Sequence, residues 1–186
     1  PMFIIWYSVH MIISFIGIPA SGKSSLLKSI MQSLGTPERM IIDRDYKCTK
    51  FNDILVLGQY EEATFSGTDS WRYSTIATGV FEEFINHQYK SYRHIIFEGD
   101  RLTSKVKFLA QNFDTKVFLL NINEAEENKR QTSRGNKQSS KWLQSRHSQM
   151  RNLQNEPCLH ECLVSRENNT LADANIIKEE ILELLV

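Results

Sequence analysis

Cysteine is scarce in this sequence, and long apolar runs are missing from it. Only three cysteines occur among 186 residues, Cys48, Cys158 and Cys162, and they cannot all pair with one another. A disulfide-stapled secreted domain is therefore not indicated, and we expect a reducing, cytoplasmic setting. No stretch reaches the roughly eighteen uninterrupted apolar residues of a membrane-spanning helix, so no membrane partner is expected.

An excess of charge of one sign is also missing. Lysine and arginine together number 22, as do aspartate and glutamate, so the formal net charge is +0. Binding of nucleic acid through a uniformly basic surface is therefore not expected, and any such site would be a local patch. The apolar fraction of 41% and the charged fraction of 24% are those of a globular domain.

Short apolar runs alternate along the chain with segments of helical periodicity. Residues 12–18, IISFIGI, predict a strand buried on both faces, and further strands are predicted at 39–45, 94–100, 116–122 and 161–168. Such alternation with helices predicts a parallel sheet covered on both faces. We therefore predict one α/β domain over residues 11–186 with a five-stranded parallel sheet. Residues 1–10 are an N-terminal extension of uncertain role. One alternative is that they add a strand at the edge of the sheet.

The first predicted strand runs into a glycine-rich segment with one lysine. Residues 17–24, GIPASGKS, match G-x-x-x-x-G-K-[ST] between a strand and a helix. A helix N-terminus attracts anions, and glycines let the backbone wrap around them. The pattern predicts a nucleoside triphosphate site, with Lys23 reaching the β- and γ-phosphates and Ser24 ligating Mg²⁺. Its predicted nucleotide-binding residues are Gly17, Pro19, Ala20, Ser21, Gly22, Lys23, Ser24 and Ser25.

The third predicted strand bears on the class of triphosphate-binding protein. A switch GTPase would carry an Asn-Lys-x-Asp motif, which the sequence lacks, and a motor ATPase usually ends this strand with an Asp-Glu pair. Here the strand ends IIFEGDR, which predicts that Glu98 holds a metal-bound water while Asp100 and Arg101 project toward substrate. A helix N-cap with a surface ion pair is the alternative reading. A small kinase fits best.

A basic segment follows the fourth predicted strand. Between Asn128 and Asn155 there is no acidic residue, yet there are seven lysines and arginines. Arg130 and Arg134 are four apart and would share one helical face, from which guanidinium groups could stabilise a transferring phosphoryl group. We predict a helical lid at about residues 126–155 with these two arginines as catalytic groups. A solvated basic helix is the alternative.

Two carboxylates at the end of the second predicted strand bear on the acceptor. A kinase acting on a phosphate acceptor needs no general base, whereas one acting on a hydroxyl must remove a proton. Residues 41–47 read IIDRDYK, and we expect Asp43 and Asp45 to lie next to the triphosphate loop, with Asp45 or Asp43 as the base. A metal-linked or loop-capping role is the alternative for both.

These segments resemble known kinases. GIPASGKSS followed by IIDRDY resembles the phage polynucleotide kinase family, in which the strand ends Arg-Asp-Asp-Tyr; here Arg44, Asp45 and Tyr46 match, with one aspartate displaced to Asp43. IIFEGDRLTSKVKFL and RGNKQSSKWLQSRHSQMRNL are more similar to the phage 5-hydroxymethyluridine DNA kinases, over most of residues 11–186. The resemblance implies a P-loop kinase fold, ATP and Mg²⁺, a DNA acceptor with a hydroxymethylated base, and the cytoplasm of an infected host cell.

A DNA acceptor requires cationic contacts and groups that hold an extruded base. Residues 65–75, FSGTDSWRYST, lie just ahead of a predicted helix and contain aromatic and charged side chains; packing in the core is the alternative for the aromatic ones. A kinase of polynucleotide 5′ ends, of free nucleosides or of deoxynucleoside monophosphates remains the alternative function. The predicted substrate-binding residues are Arg44, Asp69, Arg72, Asp100 and Arg101.

Overall fold

Seven strands form one mixed sheet in the computed structural model, which describes residues 10–60, 66–135 and 138–186. The strands are β1 (Met11–Ile16), β2 (Glu38–Ile42), β3 (Tyr46–Phe51), β4 (Ile54–Leu57), β5 (His94–Glu98), β6 (Thr115–Asn121) and β7 (Leu163–Glu167). The order across the sheet is β2-β3-β4-β5-β1-β6-β7, and all neighbours are parallel except the pairs β2/β3 and β3/β4.

Helices cover both faces of the sheet and connect its parallel strands. They are α1 (Lys23–Met31), α2 (Val80–Ser91), α3 (Val106–Asn112), α4 (Glu124–Ser133), α5 (Ser140–Gln154) and α6 (Leu171–Leu184). Four 3₁₀ turns lie in the connections, at Thr68–Ser70, Tyr73–Ile76, Asp100–Lys105 and Pro157–Leu159. No helix in the described ranges is long and apolar enough to cross a membrane.

Strand β1 is an interior strand of the sheet, and all six of its residues are buried. It pairs with β5 on one side and β6 on the other, with Phe15 opposite Glu98 and Phe118. A strand that is covered on both faces gains transfer free energy from every apolar side chain, about 1.5–3 kcal/mol for each large one. This burial fixes the point at which the chain leaves the sheet and enters the glycine-rich loop.

The two faces of the sheet carry separate apolar cores. On one face, Leu27 of α1 and Ile177 of α6 pack with Phe15. On the other, Phe81 and Ile85 of α2 pack with apolar side chains that include Trp71. Helix α1 follows from its sequence, because Leu26, Leu27 and Ile30 at helical spacing are the residues that it buries.

The prediction of a five-stranded parallel sheet is wrong, and the reason lies in residues 38–57. The strand predicted at 39–45 is β2, a largely exposed edge strand that forms an antiparallel hairpin with β3. Asp43 and Arg44 turn the chain with positive φ angles of 50° and 69°, as tight hairpins require. The sequence analysis missed β3 and β4, whose second turn contains Asn52 at φ 51°.

Other predicted elements fall close to their expected positions. The helix predicted to follow residues 65–75 is α2, which begins after the 3₁₀ turn Tyr73–Ile76 and has Gly79 at its N-cap. The segment expected to form a lid contains α4 and α5, and α5 buries Met150 and Leu153 against the body of the domain. Of the proposed N-terminal extension, residues 1–9 lie outside the described residues.

Candidate active site

The glycine-rich loop wraps the N-terminus of α1 in a shape that excludes side chains at two positions. Gly17 has φ 152° and Gly22 has φ 94°. A Cβ atom at Gly17 would lie 2.7 Å from the carbonyl oxygen of Leu120, and one at Gly22 would lie 2.5 Å from Nδ2 of Asn168. Both contacts are shorter than van der Waals separation, so glycine is required on steric and conformational grounds. The loop therefore presents its backbone N–H groups to an anion.

The side chain of Lys23 curls back over this loop. Its Nζ donates hydrogen bonds to the carbonyl oxygens of Gly17 at 2.9 Å and Ile18 at 3.1 Å, and it lies 3.7 Å from Oδ1 of Asp100. Lys23 is the first residue of α1, so its charge adds to the positive end of the helix dipole. The amine and the helix end together form a cationic centre at the carboxyl edge of β1.

Ser24 and Glu98 form a second contact beside the lysine. The Ser24 hydroxyl donates to Oε1 of Glu98 at 3.0 Å. Burial raises the pKa of Glu98 to about 7, against the opposing effects of Lys23 and of the Ser24 hydrogen bond. Hydroxyl and carboxylate oxygens are the ligand types that Mg²⁺ prefers, and a bound cation would favour the ionised carboxylate. The two residues predicted as metal-binding are thus brought together and fit a magnesium ion.

Asp69 anchors the 3₁₀ turn Thr68–Ser70 to the end of β5. Its Oδ1 accepts from the backbone N–H of Arg101 at 3.0 Å and its Oδ2 from that of Asp100 at 3.2 Å. Thr68 adds a bond from its Oγ1 to the carbonyl oxygen of Glu98 at 2.9 Å. Burial raises the pKa of Asp69, and the two backbone hydrogen bonds oppose that shift. Asp69 therefore orients Asp100 and Arg101 through their backbone.

Arg130 of α4 reaches across to the glycine-rich loop. Its Nη1 donates to the carbonyl oxygen of Ala20 at 3.2 Å, and its Nη2 donates to the carbonyl oxygens of Asn168 and Asn169 at 2.8 and 3.0 Å. Glu126 holds the Nε of the same guanidinium at 2.7 Å. Arg134, one turn further along, lines with Arg130 a cavity of about 290 Å³ beside the start of α1. The two arginines predicted as catalytic thus lie on the same side of the loop.

Asn168 is a site residue that the sequence analysis did not identify. It is 3% exposed, and its Nδ2 donates to the carbonyl oxygen of Ser21 at 2.7 Å, which joins the β7–α6 connection to the loop. Nothing in the spacing of RENNTLADAN singles it out. The available signal was an asparagine between the end of a strand and Thr170, which caps α6.

The strand that leads into Asp43 and Asp45 does not lie beside β1, contrary to expectation. Three strands separate β2 from β1, and four spacings of about 4.8 Å place the two strands roughly 19 Å apart. Asp43 and Arg44 form the exposed hairpin turn, and Asp45 lies 3.5 Å from the guanidinium of Arg72. The expected adjacency is wrong because the sheet interposes β3, β4 and β5. Their catalytic role stays a prediction.

Trp71 and Tyr73, the aromatic residues of the 65–75 segment that lie in the described ranges, differ in their surroundings. Trp71 is 2% exposed and donates from Nε1 to the carbonyl oxygen of Lys47 at 2.9 Å, so it packs in the core. Tyr73 is 73% exposed, and the guanidinium of Arg101 lies 4.2 Å from the centre of its ring. Arg101 directly follows Asp100, whose carboxylate contacts Lys23, so the exposed ring lies near the same edge of the sheet.

Comparison with known proteins defines the family. The model of the family P-loop Nucleotide Kinase3 matches residues 8–160, which is more than half of the chain. A search of curated proteins found no match. The fold is similar to that of the YorR protein of Bacillus subtilis, solved in complex with phosphorylated GDP, at a TM-score of 0.53 and 16% identity over 94% of this chain and 95% of that chain. With its loop, lysine and sheet order in place, this chain belongs to the P-loop nucleotide kinase3 family.

Proposed function

We propose that this protein is an ATP-dependent kinase that transfers the γ-phosphoryl group to a hydroxyl of a nucleic-acid substrate. The acceptor in this proposal is the 5-hydroxymethyl group of 5-hydroxymethyluracil in phage DNA. Membership of a nucleotide kinase family supports phosphoryl transfer as the reaction class. The resemblance of IIFEGDRLTSKVKFL to the 5-hydroxymethyluridine DNA kinases supports the choice of acceptor.

The observation that carries the proposal is the approach of Asp100 to Lys23. Oδ1 of Asp100 lies 3.7 Å from the lysine Nζ, and the Asp100 side chain is 29% exposed, so a substrate can reach it. A phosphate acceptor is already ionised, so its kinase needs no base at this point. A hydroxyl acceptor does need one, to take its proton.

The proposed reaction uses this chain's residues as follows. The acceptor oxygen forms a bond to the γ-phosphorus, the bond from that phosphorus to the β,γ-bridging oxygen breaks, and ADP leaves. Asp100 takes the hydroxyl proton, while Lys23 stabilises the negative charge that develops on the bridging oxygen. Arg130 and Arg134 stabilise the phosphoryl oxygens from the α4 side. When bound, Mg²⁺ at Ser24 and Glu98 supplies charge neutralisation of the phosphates.

Asp45 and Asp43 remain candidates for the base, since the resemblance to polynucleotide kinases assigns that role to a carboxylate of this segment. The roughly 19 Å between β2 and β1 favours Asp100 instead. In the proposal, Asp45 fixes Arg72 through the contact of 3.5 Å, and Arg72 and Arg44 contact acceptor phosphates.

An extruded base also needs a surface on which to stack. The exposed ring of Tyr73, backed by the guanidinium of Arg101 at 4.2 Å, supplies such a surface next to Asp100. Stacking of a base on an aromatic ring contributes about 1–3 kcal/mol. In the proposal this contact holds the modified base with its hydroxymethyl group toward Asp100.

A second candidate function is phosphorylation of a nucleotide at its phosphate. It is favoured by the description of the family as nucleotide kinases and by the phosphorylated GDP bound to the YorR protein. This reaction would depend on Arg101, Arg130 and Arg134 and would not require a base.

Incubation with γ-labelled ATP, Mg²⁺ and a panel of acceptors separates these functions. We expect label in single-stranded DNA that contains 5-hydroxymethyluracil, on the base, and none in the matched thymine strand. Label at the 5′ end of any strand would support a polynucleotide end kinase. Preference for free deoxynucleoside monophosphates over both strands would refute the DNA acceptor.

A further inference from the structure

A large cavity lies outside the site discussed so far. It has a volume of about 800 Å³ and runs between α1 and the antiparallel part of the sheet, β2, β3 and β4. Its floor contains Thr49 and Phe51, and its walls are formed by α1 on one side and by Met40 and Ile41 of β2 on the other. The β2–β3 hairpin thus forms part of this groove.

We propose that this groove binds the strand of a polynucleotide acceptor that flanks the phosphorylated residue. The inference rests on the proposed function, whose acceptor is a polymer, and it adds a site for that polymer away from Lys23 and Asp100. Three features of the groove identify the occupant as a polyanion with flat apolar groups. They are its lysines, its apolar side chains and its position next to the catalytic edge of the sheet.

Charge comes from lysines on opposite walls. Lys28 projects from α1 and Lys47 from β3, both are exposed, and the described residues that line the groove include no aspartate or glutamate. Lys47 donates to Oε1 of Gln59 at 3.1 Å, a neutral partner that leaves its charge uncompensated. Two cations facing each other across a groove suit a phosphodiester chain, whose backbone carries one negative charge per nucleotide.

The walls supply apolar surface for bases. Met31 on the helix side and Ile41 on the strand side line the groove, and Ile41 is 63% exposed. Five residues of β2 extend about 17 Å, which is the length of roughly five stacked nucleotides at 3.4 Å each. A cationic groove with apolar contacts for the base faces is the usual form of a single-strand site.

One end of the groove meets the catalytic edge of the sheet. Tyr60 lines it, is 6% exposed, and its phenol pKa is raised well above the ordinary value, mainly by burial and next by the nearby charge of Glu98. The backbone N–H of Gln59 donates to Oγ of Ser70 at 3.3 Å, in the same 3₁₀ turn that carries Asp69. A strand in the groove would therefore arrive beside the acceptor site.

The test measures the affinity and salt dependence of DNA binding by fluorescence anisotropy. The probe is a fluorescein-labelled single strand of about eight nucleotides with one 5-hydroxymethyluracil, long enough to fill the groove. The groove variant is Lys28→Gln with Lys47→Gln. Its control is Lys90→Gln with Lys178→Gln, which removes the same charge from α2 and α6.

We expect the groove variant to bind the strand more weakly than the control at low salt. The plot of log affinity against log salt should become shallower, with the magnitude of its negative slope reduced by about 1.4. Each lost phosphate contact to a single strand removes roughly 0.7 from that magnitude. Its melting temperature and its KM for ATP should equal those of the control, since neither lysine contacts the glycine-rich loop.

Equal affinity and equal salt slope in the two variants would overturn the groove assignment while leaving the kinase function in place. Failure of the wild-type protein to bind any strand would overturn both the groove and the DNA acceptor. A concentration-dependent dimer in sedimentation that Ile41→Asp abolishes would make the groove an interface between copies of this chain, which also overturns the proposal.

Discussion

Lys23 lies between two loop carbonyl oxygens and the carboxylate of Asp100, and its function depends on which of these a bound triphosphate displaces. The hydrogen bonds of 2.9 and 3.1 Å to Gly17 and Ile18 are local to the loop. Phosphate oxygens would compete with them, because phosphate carries the charge opposite to that of the lysine whereas a carbonyl oxygen is neutral. Asp100 is then left facing the acceptor.

Removal of the lysine amine tests this site directly. Lys23→Ala should keep the fold, since the side chain is not part of an apolar core, and should lower kcat by about 10²–10³, as expected for loss of one transition-state charge contact. Turnover with ATP and thermal melting are the measurements, and Lys90→Ala on the exposed surface of α2 is the control. Near wild-type turnover would refute the site assignment.

The choice of base is tested by two isosteric changes. Asp100→Asn should lower kcat by about 10²–10⁴, the contribution of a lost general base, without changing KM for ATP. Asp45→Asn should raise KM for the acceptor more than it lowers kcat, because its contact is to Arg72. If the two results are exchanged, Asp45 is the base; if neither variant loses kcat, a phosphate acceptor is the better hypothesis.

Glu98 predicts a pH dependence with a defined sign. Its pKa is about 7 in the folded protein against 4.5 as the ordinary value. The folded state therefore holds the proton more tightly than the unfolded chain, and the free energy of unfolding should fall as pH rises from about 4.5 through 7 in the absence of metal. Chemical denaturation across pH 5–8 measures this. Glu98→Gln should flatten the fall, and added Mg²⁺ should oppose it by binding the ionised carboxylate; a metal-free profile that rises over this range would contradict the assignment.

At the scale of elements, the sequence predicts the parts whose periodicity is strong and local. Strand β1, helix α1 and the loop between them follow from one apolar run, one spacing of leucines and two glycines. Strands β3 and β4 did not follow, because YKCTKFNDILVL mixes lysines with apolar residues. The turns before and after β3 have positive φ at Asp43, Arg44 and Asn52 and contain no glycine that would signal them. The contacts of Asn168 are long-range and have no local signature.

The β2–β3 hairpin offers a prediction about its own turn. Asp43 and Arg44 both have positive φ, which costs roughly 1 kcal/mol or more for each residue that is not glycine. Replacing them with asparagine and glycine, the preferred pair for this turn, should raise the free energy of unfolding by about 1 kcal/mol. Denaturant melting measures it. Because both residues are also candidate site residues, kcat with a free nucleoside should be measured as well. A large loss of kcat would indicate that Asp43 takes part in catalysis.

At the scale of the whole molecule, the sheet order decides how the site is assembled. The carboxyl ends of β5, β1 and β6 meet at one edge, which gathers Glu98, Lys23 and the glycine-rich loop. The position of β7 beside β6 brings Asn168 onto that loop, and α4 brings Arg130. The sequence could predict that a triphosphate site exists, because that motif is contiguous. The sequence could not show which carboxylate takes the proton of the acceptor hydroxyl. The distance from Asp43 or Asp45 to the loop depends on where three other strands lie in the sheet.

The central claim is that a phosphoryl group passes to a hydroxyl beside Asp100. Phosphorus NMR of the product formed from ATP and a strand containing 5-hydroxymethyluracil tests this most directly. We predict a phosphomonoester resonance split by the two protons of the base methylene group, with ADP formed in equal amount and both signals formed about 10²–10³ times more slowly by Lys23→Ala. A phosphoanhydride resonance on a nucleotide acceptor, with no phosphomonoester from the modified strand, would contradict the account.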